Sequence, residues 1–218
     1  MRSTVQRWVA LSAIFSTVLV VEPVTWVAAD PPATPVTFEV VGGDGFPASA
    51  AVASVAVEAE DLVVDATGDV YLAEGVVVRR LRTPGDTLEV VAVAEGLAHA
   101  SGVPTLPSPT VTVTIDGAGR LLVGLKSGDV YRFDPAGPTL LGTIPYVADM
   151  AVAGNGVIYG ADGGFNPTVY TLDPATGVVT TLMPYLSTGG VNTVTSAPDG
   201  CVYGVGINGV WAIDPATN

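Results

Sequence analysis

The 218 residues carry 21 acidic side chains against 8 basic ones, a formal charge of −13, with 49% hydrophobic residues, 26 glycines and one cysteine. So few cations exclude a nucleic-acid or anionic-membrane surface, which needs clustered Lys and Arg, and a single cysteine excludes a disulfide framework. The length suits one domain rather than two, and the apolar half of the chain is enough for a sizeable core.

The first predicted element is a leader. Arg2 and Arg7 give a basic start, Trp8 to Val21 is an apolar stretch of 14 residues, and Val27-Ala28-Ala29 places small side chains before Asp30. That order is the pattern of a secretory signal peptide over residues 1–29, cleaved after Ala29. A retained anchor is the alternative, but the stretch falls short of the roughly 20 residues that span hydrocarbon. Residues 30–35 then read as a stiff proline-rich leader and 36–218 as one domain. Secretion is expected, with no membrane attachment after cleavage. Without Arg2, Arg7 and Glu22 the formal charge moves from −13 to −14.

The run Val36–Val41 is strand-like and has no neighbour of its own. Four strands follow at Asp61–Asp65, Val70–Ala73, Val76–Leu81 and Thr87–Ala94, separated by turns at Ala66–Asp69, Glu74-Gly75 and Thr83–Asp86. Short apolar runs joined by tight turns are antiparallel hairpins. The same order recurs from Thr110 to about Pro145 and from Ala148 to about Leu186. It starts once more near Gly190 and ends after three strands. The third strand of each unit carries one phrase: Val130-Tyr131-Arg132-Phe133-Asp134-Pro135, Val169-Tyr170-Thr171-Leu172-Asp173-Pro174 and Val210-Trp211-Ala212-Ile213-Asp214-Pro215, with a degenerate copy at Val78–Leu81. The prolines are 39 and 41 residues apart. A period in that range, built of strands and turns, is the signature of a radial array with one sheet per repeat. The fold class expected is therefore all-β: a β-propeller of four blades, each of four antiparallel strands. Val36–Val41 would supply the strand that the last blade lacks, closing the ring; an arc of a larger ring is the alternative.

Val40–Ala51, containing Gly42-Gly43-Asp44-Gly45-Phe46-Pro47-Ala48, followed by Asp61–Ala73, resembles an NHL-type propeller repeat. The resemblance is specific over about 45 residues and looser beyond. Asp69 stands where that family usually has asparagine, and Glu74–Arg80 replaces its usual Asp-x-x-Asn-His-Arg-Ile stretch. The resemblance implies a secreted bacterial propeller used for recognition. Related propellers include zinc lyases that use several histidines, whereas His99 is the single histidine here. They also include gluconolactonase-like enzymes that hold a divalent cation in the central channel.

Counting back seven residues from each turn glycine reaches Asp61, Thr112, Asp149 and Thr193, near the start of each innermost strand. Two carboxylates and two hydroxyls at one channel mouth would suit a hard cation such as Ca²⁺. The plainer reading is that these side chains hydrogen-bond nearby backbone, with no cofactor. Cys201 lies in an apolar run and reads as a small core residue. It has no local base, and His99 sits in the loop-like stretch Gly96–Gly102. Arg80 and Arg82 share a face of the third strand by alternation. Two function classes follow. The first is a non-catalytic module, expected to be a monomer, that binds a protein, peptide or glycan through Gly96–Pro109 and the turns at Phe46, Pro145-Tyr146, Phe165 and Pro184-Tyr185. The second is a cation-dependent lyase or lactonase working at the channel mouth.

Overall fold

The computed structural model describes residues 49–51, 59–82, 87–97, 99–163, 168–183, 191–206 and 209–215. These residues form four antiparallel sheets in a four-blade β-propeller arrangement. Blade 1 comprises β2 (Asp61–Val64), β3 (Val70–Ala73), β4 (Val77–Arg82) and β5 (Thr87–Ala94), paired in that order. Two short strands add to its outer edge: β1 (Ser49–Ala51), antiparallel to β5, and β6 (Thr105–Leu106), parallel to it. Blade 2 holds β7 (Thr110–Ile115), β8 (Leu121–Leu125), β9 (Asp129–Asp134) and β10 (Gly137–Thr143). Blade 3 holds β11 (Asp149–Val152), β12 (Ile158–Ala161), β13 (Val169–Leu172) and β14 (Val179–Met183). Blade 4 shows three strands among the described residues, β15 (Val191–Ser196), β16 (Val202–Gly206) and β17 (Gly209–Ile213).

The turn chemistry explains why each hairpin forms where it does. In the first, Asp65 Oδ1 accepts the N–H groups of Thr67 and Asp69 at 2.8 and 3.0 Å, and Gly68 takes a φ of 90°. Aspartate organises the local backbone, and glycine enters the left-handed region without a Cβ clash. Arg80 and Arg82 do share a face, and both bond Glu89 on β5.

The core is divided among the junctions between blades. Val78 and Ala92 of blade 1 meet Val113, Leu121 and Val123 of blade 2. Leu122, Val130 and Leu141 of blade 2 meet Met150, Ile158 and Leu172 of blade 3. Tyr159 and Val169 of blade 3 meet Val194, Val202 and Ile213 of blade 4. A middle blade is thus covered on both faces, which is why its strands read as unbroken apolar runs. At about 1.5–3 kcal/mol for each large side chain fully buried, these layers hold the arrangement together.

Two segments outside the four expected strands of blade 1 are ordered against it. Ser49–Ala51 pairs with Thr87–Glu89, and Thr105–Leu106, inside the expected Gly96–Pro109 loop, pairs with Val93 and Ala94. Both satisfy backbone groups on a strand edge that would otherwise stand open. Val36–Val41, the expected closing strand, lies outside the described residues.

Candidate functional site

Each blade places its first strand innermost: β2 packs beside β7, β7 beside β11, and β11 beside β15. The starts of these strands converge at one end of the axis. Asp61 Oδ2 there accepts the hydroxyl of Thr112 at 2.8 Å and the N–H of Val113 at 2.8 Å, while Oδ1 accepts Leu62 N–H at 2.7 Å. Asp149 repeats the arrangement two blades on, with Oδ1 accepting Met150 N–H and Oδ2 accepting Val194 N–H, each at 2.8 Å. The Thr112 hydroxyl also stands 3.4 Å from Asp149 Oδ1, so one threonine links the two carboxylates.

Asp61, Thr112 and Asp149 are therefore brought together by hydrogen bonds. In blade 4 the contact to Asp149 comes from the backbone of Val194; Thr193, the residue before it, is half-buried. The blades alternate in local geometry as well as in residue. Both threonine strands carry a register shift next to the threonine, between Thr110 and Thr112 and between Val191 and Thr193, whereas β2 and β11 pair regularly.

Burial pushes the Asp61 carboxyl above its ordinary value. Burial, reinforced by the neighbouring Asp61 charge, pushes Asp149 up to about 7. Each of the four carboxylate oxygens already accepts at least one hydrogen bond from the chain. Among the described residues no group of three or more His, Cys, Asp or Glu side chains is placed to hold a metal. Calcium takes six to eight oxygens, water included, so this donor set would supply only part of a calcium shell. What it does supply is a set of hydrogen bonds tying blade 1 to 2, 2 to 3, and 3 to 4.

The opposite end of the sheets holds a different feature, which sequence reasoning missed. A cleft of about 340 Å³ opens between blades 2 and 3, bounded by the Asp116–Ala118 turn and by Pro174-Ala175. Leu122, Leu141 and Ile158 form its apolar floor, with Arg120 and Arg132 beside them. Arg120 gives Nε and Nη2 to Asp116 at 2.8 and 2.7 Å, and Arg132 gives the same two nitrogens to Asp134 at 2.9 Å each. The carboxylates fix both guanidinium planes; Arg120 Nη1 also stands 3.7 Å from Asp134 Oδ1, and Nη1 of Arg132 is a further donor toward the cleft. The available signal was that Arg120 and Arg132 are two of only three cations in blades 2 to 4, Lys126 being the third.

The remaining expectations divide. Cys201 is half-buried just ahead of β16 rather than within it, and burial, followed by the charges of Asp199 and Asp214, raises its thiol pKa. Such a thiol is a poor nucleophile. The His99 ring Nδ1 lies 3.1 Å from the Ala100 carbonyl, in the segment between blades 1 and 2, whereas Cys201 belongs to blade 4. Tyr146 is exposed with a φ of 54°, as a loop contact residue can be. Phe46, Phe165 and Pro184-Tyr185 lie outside the described residues.

No protein-family model matches this sequence, and no curated protein does. Solved structures match it in shape. Virginiamycin B lyase from Staphylococcus aureus is 15% identical with a TM-score of 0.54, over 72% of this chain and 52% of that one. A protein of unknown function from Bacteroides thetaiotaomicron is 16% identical with a TM-score of 0.58, over 79% and 44%. An auxiliary nutrient binding protein from Bacteroides ovatus is 18% identical with a TM-score of 0.51, over 69% and 40%. This chain spans about half the length of the solved structures it matches, and at such identities the likeness establishes a shared β-propeller fold.

Proposed function

We propose that this chain is a secreted, NHL-like propeller that acts as a non-catalytic binding module and takes a peptide in the cleft between blades 2 and 3. One observation carries the reading: an aliphatic floor of Leu122, Leu141 and Ile158 lies directly beside two guanidinium groups held in place by Asp116 and Asp134. An apolar side chain next to a carboxylate, on a peptide segment or its C-terminus, matches that combination. The floor offers little for the hydroxyls of a glycan. Propellers similar in shape include both a lyase and a binding protein, so the choice rests on side chains rather than on the fold. Here the axial carboxylates are occupied as inter-blade ties. The Gly42–Ala51 and Asp61–Ala73 motifs support the NHL-like type, and the leader supports secretion.

The test is a peptide array probed with the purified chain. Peptides pairing an aliphatic residue with a carboxylate should be retained, Leu141→Glu should abolish retention, and Arg132→Gln should weaken it about tenfold, the loss of one charge-assisted bond at about 1.4 kcal/mol. Retention unaffected by Leu141→Glu would defeat the proposal. A calcium-dependent rise in melting temperature, lost in Asp149→Ala, would move the functional site to the axis and favour the cation-dependent lyase or lactonase. Sequencing the N-terminus of the exported protein should give Asp30 first.

A further inference from the structure

The valine that opens the repeated phrase occupies the same place on the third strand of every blade: Val78, Val130, Val169 and Val210. The first three are 0%, 0% and 1% exposed, because each lies under the following blade. Val210 is 64% exposed. The register extends that face over Val205 and Tyr203 of β16 and Ala212 of β17, an apolar surface with nothing packed on it among the described core clusters.

Blade 1 shows the converse. Its β2 aligns with β11, Asp61 matching Asp149 and Val64 matching Val152. Val152 is 8% exposed under blade 2, while Val64 is 53% exposed. Leu62, Val70 and Leu72 of the same face are only half-buried, where Met150 and Ile158 at the matching places of blade 3 are buried. Blade 1 therefore displays the face that receives a preceding blade, and blade 4 displays the face that covers a following one. Among the described residues, β2 and β15 are not packed side by side as the other inner strands are.

We propose that two copies of this chain pack head to tail, blade 4 of each against blade 1 of the other, closing one eight-bladed ring. A monomer closing on itself would have to bring both faces together within four blades. The axial ties continue across the proposed junction without interruption. The order Asp61, Thr112, Asp149, Thr193 alternates carboxylate and hydroxyl, and the Thr112 hydroxyl already stands 3.4 Å from the Asp149 that follows it. Head-to-tail packing sets Thr193 beside the second copy's Asp61 in the same relation, with each copy completing the other's axial site. Such a contact is heterologous, yet it closes after two copies, so it forms a finite ring rather than a filament.

Sedimentation or light scattering of the purified chain gives the mass directly, and two chains per particle are expected. Val64→Glu and Val210→Glu each disrupt one of the two faces used at both junctions, so each variant alone should fall to the single-chain mass. Both residues are exposed in one copy, so circular dichroism should remain that of the parent. Mixing the two variants restores one undamaged junction, and a fraction of the two-chain species should return. A single-chain mass for the parent across the micromolar range would overturn the proposal in favour of self-closure. A two-chain mass surviving either variant would overturn it in favour of another interface. Peptide retention at the cleft is independent of both outcomes, since that cleft lies within one chain.

Discussion

Aspartate does opposite things at the two ends of these blades. At the axial end, Asp61 and Asp149 are enclosed, their carboxyls are raised by burial, and each accepts a backbone N–H from a neighbouring blade besides one from its own strand. On the turn face, Asp65 and Asp173 are held below the ordinary carboxylate value by hydrogen bonds from their own turns, Thr67 to Asp65 and Ala175 and Thr176 to Asp173. One set joins distant parts of the chain and bears a desolvation cost, while the other organises a few adjacent residues in water. The difference lies in what surrounds the carboxylate: enclosure penalises its charge, and local N–H donors favour it.

The largest expected effect follows from removing a tie. Asp61→Ala leaves the Val113 N–H and the Thr112 hydroxyl without their acceptor in a largely dry setting. At about 1–3 kcal/mol for each stranded donor, the loss should be about 2–4 kcal/mol in urea unfolding. Asp61→Asn keeps one oxygen acceptor and should cost less. A cost below about 0.5 kcal/mol for the alanine variant would mean that the blades hold together by apolar packing alone.

The pH dependence should run in opposite directions for the two sets. Asp149 has a folded-state value of about 7, against about 4 for a free aspartate. The folded state therefore binds more protons than the unfolded state between these values. Stability should be highest below that window and fall as pH rises through it, by up to about 1.4 kcal/mol per pH unit for one proton. Asp61, raised in the same sense, adds to the trend. For the turn aspartates the sign reverses: their contribution is present above pH 4 and is lost as pH falls through their depressed values. Melting curves from pH 3 to 8 should show a maximum in the acid range, and Asp149→Asn should flatten the decline toward neutral pH. A decline unchanged in that variant would assign it to general repulsion among the acidic side chains.

Much of this was legible in the sequence, and the reasons are local. Turn glycines such as Gly68 and Gly119 fix where each hairpin bends, so counting back along a strand of known rise reaches Asp61, Thr112 and Asp149 at one end of the axis. The donors to those carboxylates were not legible, because Val113 and Val194 contribute backbone N–H groups that carry no sequence signal. The cleft was hidden for a related reason: Arg120 precedes β8 and Arg132 lies on β9 of blade 2, and Ile158 and Pro174 belong to blade 3, so only packing brings them together. The same holds for β1 and β6, three- and two-residue strands formed because β5 presents an edge. Short segments of this kind lack the periodicity by which strands are recognised.

A pair of glycines in blade 2 tests the comparison with the smallest chemical change. Gly124 pairs with Thr112 across β7 and β8, and a Cβ there would come within 2.7 Å of the Thr112 methyl and 3.1 Å of the Met150 Cε. Gly117 lies in the turn at the other end of the same hairpin, where a Cβ would meet nothing within 4 Å and the backbone needs no left-handed φ. Gly124→Ala must displace the threonine that links Asp61 to Asp149, and it should cost about 1–3 kcal/mol, the usual penalty for overpacking. It should also move the pH at which stability declines, since the distance between hydroxyl and carboxyl sets part of the Asp149 shift. Gly117→Ala should be neutral or stabilising by about 0.4–1 kcal/mol through the unfolded chain, with the pH profile unchanged. If both substitutions left that profile in place, Thr112 would not be what couples the two carboxylates.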